Sequence, residues 1–241
     1  MSAGFEGLDR VIESMRQPIQ QYAEEVRTLA GDNALALTLF GSIAAGSFDM
    51  KRHTARNVLV LQSVDLELLR GLAKHGSKHG KARIAAPLIM TPGYVTASLD
   101  TFPLELIEIH QCHISIFGHD YFATLALNDA HVRLQCEREL KTILIGMRQG
   151  LLAAAGREKL IAAIDADVAE SLVRTLRGLL WLRGQKEAKP SAHVVSEVEK
   201  IIEQELRGVR NVLGVSGPHG WDEFRTLYDD VEAMGKMVDG W

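Results

Sequence analysis

The chain has 241 residues, enough for one or two domains with a sizeable core. Its content of 46% hydrophobic, 24% charged and 6% aromatic residues excludes a disordered, collagen-like or coiled-coil chain. A formal net charge of -4 gives no general affinity for nucleic acid or membrane surfaces, so any anion site has to be local. The cysteines Cys112 and Cys136 cannot build a disulfide framework and suit a reducing compartment. Glu6, Asp9, Arg10 and Glu13 stand where a secretory signal needs a continuous apolar run, so a cytoplasmic protein is expected. The uncharged run Ile84 to Leu99 is interrupted by Pro87, Pro92 and Gly93 and falls short of the about 20 apolar residues of a membrane span.

In chain order, Leu8, Val11, Ile12, Met15, Ile19, Tyr22, Val26 and Leu29 form a 3.6-period stripe that predicts an amphipathic helix over 5–30, with Pro18 as the place for a kink. After Gly31-Asp32-Asn33, the short apolar run Ala34–Phe40 fits a buried strand that stops at Gly41-Ser42. Asn57–Leu61 predicts a second strand, followed by a helix from Asp65 through Leu72 with Ser63 as its N-cap. Lys74–Arg83 reads as a polar loop or a frayed helix end. Ala86–Thr91 is a third strand, Pro92 a helix start, and Leu104–Ile109 and His113–Phe117 are two short strands. The pattern to about residue 120 is mixed α/β.

From Ala130 the strand signals stop. Val132–Met147, Leu160–Leu179, Val194–Val209 and Phe224–Met234 carry helical stripes, with breaks at Gly156, Gly184–Pro190 and Gly214–Gly220. The expected class is α+β, with a mixed α/β domain over 1–125 and an all-α bundle over 126–241. Trp181 and Trp241 are interface residues only if exposed.

The stretch Leu37-Thr38-Leu39-Phe40-Gly41-Ser42-Ile43-Ala44-Ala45-Gly46-Ser47 runs a strand into a Gly-Ser turn and then into small residues that can open a helix. Backbone N–H groups at a helix start, the Ser42 hydroxyl and the close approach allowed by Gly41 and Gly46 suit phosphates. With the order of elements around it, this stretch resembles the DNA polymerase β superfamily of nucleotidyltransferases, in the small form whose helical C-terminal domain is similar to the substrate-binding domains of antibiotic nucleotidyltransferases. Leu39-Phe40-Gly41-Ser42 and Phe102-Pro103-Leu104-Glu105-Leu106-Ile107-Glu108-Ile109 carry the likeness. It covers 35–120 by sequence and the remainder by architecture.

The resemblance implies two carboxylates spaced i, i+2 at the start of the second strand. Alternate strand residues face one side, so such a pair holds two divalent ions about 3.5–4 Å apart. The matching positions here are Ala55 and Asn57, and neither supplies a charge. Asn57 offers at best a neutral carbonyl oxygen to a hard ion such as Mg2+. Asp49 and Asp65 flank the strand as substitute ligands, and Glu108 matches the family's third acid. Glu105, three residues earlier, faces the other side of a regular strand. Arg56 lies between the two lost acids, where its guanidinium fork can bind phosphate directly without metal.

Lys74, Lys78, Lys81 and Arg83, with Arg52, line a phosphate site or a solvated loop. His110, Cys112, His113 and His119 lack the spacing of a zinc site, and Gly76 and Gly80 weaken the His75/His79 pair. The leading reading is a nucleotidyltransferase-fold protein with weakened or lost catalysis that binds a nucleotide or acts as a regulatory or scaffold partner. A second reading is Mg2+-dependent transfer of a nucleoside monophosphate from a nucleoside triphosphate to a hydroxyl, with Asp49 and Glu108 as metal ligands and Ser42 on the triphosphate. A third is an interaction module whose bundle binds a protein partner or a second copy.

Overall fold

A computed structural model describes residues 5–214 and 220–241. The chain divides into two compact units, Met1–Leu99 with Glu108–Ala126, and Asp100–Ile107 with Leu127–Trp241. Among the described residues, no helix is long and apolar enough to cross a membrane.

In the first unit, a 3-10 segment at Glu6–Arg10 precedes α1, Glu13–Ala30, so the expected N-terminal helix is divided. Arg16 holds the division by donating to the carbonyls of Asp9 and Val11. Strands β1 (Ala34–Phe40), β2 (Arg56–Leu61), β3 (Leu88–Met90) and β4 (His113–Gly118) form one sheet in the order β3-β2-β1-β4. Strand β1 is antiparallel to β2 and β4, and β2 is parallel to β3. The 3-10 segment lies against β4 with Gly7 at the contact, where a Cβ would stand 2.1 Å from the Ser115 carbonyl oxygen. Leu37, Leu39, Leu59, Leu61, Ile114 and Ile116 join Met15, Ile19, Tyr22 and Val26 of α1 in one buried cluster.

Between β2 and β4 stand α2 (Leu66–Ala73), α3 (Gly76–Lys81), α4 (Pro92–Ala97) and α5 (Pro103–Gln111). Asp65, not Ser63, caps α2, its carboxylate accepting the Glu67 N–H. Thr91 caps α4 with Pro92 at its start, where a missing N–H costs nothing. The segment read as a polar loop or frayed end contains α3, tied to α1 through Glu25, which accepts from Lys78 at 2.6 Å, His75 at 2.7 Å and His79 at 3.2 Å.

Helix α5 stands where a strand at Leu104–Ile109 is expected. Leu104, Leu106, Ile107 and Ile109 are all buried, and an apolar run hidden on every side loses the period that separates strand from helix. Pro103 as first residue decides for helix.

The second unit holds α6 (Asp129–Ala154), α7 (Glu158–Leu182), α8 (Ser191–Ile202), α9 (Arg207–Leu213) and α10 (Trp221–Asp239). Leu104 and Ile107 enter its core beside Cys136, Leu140, Leu172 and Leu176. Burial pushes the Cys136 thiol up to about 12, with Glu139 adding to the effect. The single stripe Val194–Val209 is two helices, because Glu203 turns left-handed at φ 54 and ends α8. Asp230 of α10 then accepts the Gly208 and Val209 N–H groups at 2.7 and 3.1 Å, capping α9. Trp181 is buried, donating to Asp129, and Arg183 lies 3.9 Å over the half-buried Trp241 ring. Of the expected break at Gly214–Gly220, residues 215–219 lie outside the described residues.

Candidate functional site

Strand β2 offers two faces, because successive side chains alternate. Ala55, Asn57, Leu59 and Leu61 share the face that meets α1, and Ala55, Leu59 and Leu61 join its apolar cluster. Asn57 is 1% exposed. Its Oδ1 accepts the Tyr22 hydroxyl at 3.0 Å, and its Nδ2 donates to the carbonyls of Ala85 at 2.9 Å and Ala55 at 3.3 Å. Burial pushes the Tyr22 phenol above its ordinary range, which keeps that hydroxyl a donor. Ala55 N–H donates to Arg83 O at 2.7 Å, and Ala85 N–H donates to Ala55 O at 3.1 Å. These two positions therefore hold β2 to the segment before β3.

The donor set at these positions does not fit a pair of divalent ions. Ala55 has no side-chain ligand atom, and the Asn57 oxygen is engaged by Tyr22 inside the protein. Two carboxylates there would point into the apolar layer under α1.

The other face carries Arg56. In the sheet register Phe40 stands between Arg56 on β2 and His113 on β4. The Arg56 guanidinium lies 4.4 Å from the Phe40 ring centroid, and its Nη1 donates to Glu108 Oε1 at 2.6 Å. Gly41 follows Phe40 at φ 74, a conformation that side chains resist. A Cβ on Gly41 would lie 3.7 Å from Arg56 Nη1 and 3.9 Å from Glu108 Oε1. Thus Gly41, Arg56 and Glu108, far apart in sequence, meet at one point at the end of β1, and half-buried Ser42 follows directly.

The turn itself differs from the expected helix start. Only a 3-10 turn, Gly41–Ile43, follows β1. The N–H groups of Ala44 and Ala45 donate to Gly41 O, and that of Ser47 to Ser42 O. Small residues without an apolar stripe give a following helix nothing to pack, so the chain closes on itself and these donors face inward. Glu108 sits on the last turns of α5, not on a strand. Glu105 accepts from Arg174 at 2.9 Å and Gln135 at 2.9 Å in the second unit, so the two glutamates serve different units.

Asp49 is exposed in the loop before β2, where it accepts the Lys51 N–H at 2.8 Å and lies 4.0 Å from Arg52. Asp65 is occupied as the α2 cap. In the basic segment, Lys78 pairs with Glu25 and Arg83 donates to Lys51 O. The Lys78 hydrogen bond holds the Glu25 carboxyl below its ordinary range against the opposing effect of burial, and His79 and His75 add to the lowering.

His113, weighed in the sequence only as part of a zinc cluster, has a structural place beside the site. Its Nδ1 donates to Ile109 O at 2.8 Å and its Nε2 meets Asp120 Oδ2 at 2.8 Å, so both nitrogens face acceptors. Burial raises the Asp120 carboxyl, but the His113 hydrogen bond and the N–H groups of Phe122 and Ala123 outweigh it and leave the group below its ordinary range. The pair fixes the end of α5, and hence the helix that carries Glu108. His110 Nδ1 donates to the Phe122 carbonyl at 2.8 Å, and His119 stacks edge-on against Tyr121. Among the described residues, no group of three His, Cys, Asp or Glu side chains is placed to hold a metal ion. Phe40, adjoining the Gly-Ser turn, is the one sequence signal that could have pointed to the cation platform.

No family model and no curated protein matches the chain. Among solved structures it is similar to spectinomycin adenyltransferase AAD(9) from Enterococcus faecialis, a structure determined with ATP and spectinomycin. The identity is 12%, the TM-score 0.57, and the match covers 92% of this chain and 98% of that one. The match agrees with the mixed four-stranded sheet and the helices described above: the chain is an α+β protein with a nucleotidyltransferase-like fold followed by helices.

Proposed function

We propose that the protein binds the phosphates of a nucleotide at Gly41, Ser42 and Arg56 without two-metal nucleotidyl transfer. The observation that carries this reading is the division of β2: the face open to Gly41 presents a guanidinium, while the positions matched to metal-binding acids are Ala55 and Asn57, buried against α1. An arginine fork supplies charge and hydrogen bonds to phosphate directly. ATP in the similar adenyltransferase structure supports a nucleoside triphosphate as the ligand. The site then serves recognition, and the protein acts as a regulatory or scaffold partner in a cytoplasmic setting.

Thermal unfolding against a nucleotide panel, with Mg2+ and again with chelator, tests this. A site filled at 100 times its dissociation constant adds about 2.7 kcal/mol of stability. The expected result is stabilisation that survives chelator and is lost in Arg56→Ala. Mg2+-dependent transfer of labelled nucleoside monophosphate, abolished by Glu108→Ala, would instead establish the active enzyme, for which the placement of Glu108 beside Gly41 is the supporting feature. A protein with no response to any nucleotide would leave the interaction module, favoured by Leu134, Ile145 and Leu152, which are exposed along one side of α6.

A further inference from the structure

The arrangement at Gly41 contains its own anion. Glu108 Oε1 lies 2.6 Å from Arg56 Nη1, and the glutamate side chain is 12% exposed against 41% for the arginine. The Phe40 ring under the guanidinium limits the directions in which Arg56 can turn its N–H groups. The point a Cβ on Gly41 would occupy is 3.7 Å from Nη1 and 3.9 Å from Oε1. A phosphate arriving at the turn therefore meets the cation and the carboxylate together.

We infer that Glu108 is a built-in competitor for Arg56: an internal carboxylate that occupies the guanidinium until a polyphosphate displaces it, so that the exchange sets the affinity and charge selectivity of the site. This rests on the reading of Arg56 as the phosphate-binding cation. Glu108 takes one of the five guanidinium N–H groups and offsets its charge, so a ligand of low charge gains too little from Arg56 to offset the loss of the Glu108 contact. A triphosphate, with more charge to place, completes the exchange. Glu108 thus acts as a positioning residue and a threshold, in contrast to a metal ligand.

The competition predicts that neutralising Glu108 strengthens binding. A part-exposed ion pair contributes at most about 1 kcal/mol, which corresponds to about fivefold in affinity. Glu108→Gln should bind ATP, and inorganic triphosphate, about fivefold more tightly than the natural protein in chelator, by calorimetry. Arg56→Gln should bind neither. Phenylglyoxal labelling of Arg56, followed by peptide mass mapping, gives a readout independent of any nucleotide: the arginine should react faster in Glu108→Gln than in the natural protein. Glu108→Asp, one methylene shorter, should fall between them and serves if the glutamine variant does not fold.

Unchanged or weaker ATP binding in Glu108→Gln, with unchanged labelling, overturns the competition while leaving nucleotide binding intact. Triphosphate binding by Glu108→Gln alone, with faster labelling, supports the competition and defeats the reading of the natural protein as a nucleotide binder. Binding by neither protein, with labelling unchanged, overturns both.

Discussion

The two faces of β2 do opposite work with adjacent residues. On one, Asn57 is enclosed and every donor on its amide has a protein acceptor. On the other, Arg56 keeps two-fifths of its side chain in solvent and lies against a carboxylate and an open turn. On the α1 face the polar chemistry of the strand is structural. An amide and a carboxylate are nearly the same size, but only the amide donates, and here two carbonyl oxygens point at the donor.

Restoring the acids is the severest way to break this comparison. Ala55→Asp with Asn57→Asp should fail to produce Mg2+-dependent transfer and should destabilise the first unit by about 4 kcal/mol or more, since it buries two unpaired charges. Asn57→Asp alone should lose about 2–3 kcal/mol, because the carboxylate faces the Ala55 and Ala85 carbonyls with no proton to offer. Urea unfolding measures both. A folded double variant that transfers nucleotide would mean that this face opens to substrate.

Asp230 sharpens the same lesson in the second unit, where a buried acceptor meets two donors. Asp230→Ala should cost about 2 kcal/mol by stripping the α9 cap, while Asp230→Asn keeps an oxygen on Gly208 and Val209 and should stay within about 1 kcal/mol of the natural protein. Burial raises the Asp230 carboxyl above its usual value despite those N–H groups, and Asp229 and Glu199 push the same way. A raised carboxyl is stabilising below its unfolded value of 3.8 and loses that contribution as pH climbs through the folded one. The asparagine variant should therefore gain on the natural protein as pH rises from 3 to 7, read by urea midpoints at each pH.

Much of the fold was legible because it follows from local signals. β1 ends at Gly41 as its apolar run does, and Thr91-Pro92 opens a helix by the capping rules. What stayed hidden depends on distant partners. No residue between 194 and 209 announces a break, since α9 is started by a carboxylate from α10. The α5 run reads as a strand because its apolar residues are buried all round. At the site, Gly41, Arg56 and Glu108 could be nominated singly from type and position. Their meeting, and the burial of Asn57 under Tyr22, depends on the sheet register and on where α1 and α5 lie.

Gly41→Ala bears on the open face more gently. A left-handed φ of 74 strains any side chain, so a loss of about 1 kcal/mol is expected, with ordinary contacts to Arg56 at 3.6 Å adding little. The larger signature should be in ATP binding, since the new methyl would stand 3.7 Å from Arg56 Nη1, where the proposed phosphate site lies. An alanine variant that binds ATP as the natural protein does would move the phosphate site away from the turn.

The smallest effect concerns the support behind that face. Asp120 holds His113, and His113 holds the Ile109 carbonyl at the end of α5, one residue after Glu108. A depressed carboxyl contributes stability that is fully present above its unfolded value, 3.8, and is lost as pH falls through the lower folded value. Asp120→Asn should thus lose stability at pH 6, and the gap should close as pH falls below 3.8. The carboxylate is 36% exposed, so solvent screening limits the gap to less than about 1 kcal/mol. Its second consequence is positional: with the end of α5 less firmly held, Glu108 should sit less regularly on Arg56, and phenylglyoxal should reach that arginine faster. A stability change without a change in labelling would confine the His113–Asp120 pair to the loop after β4.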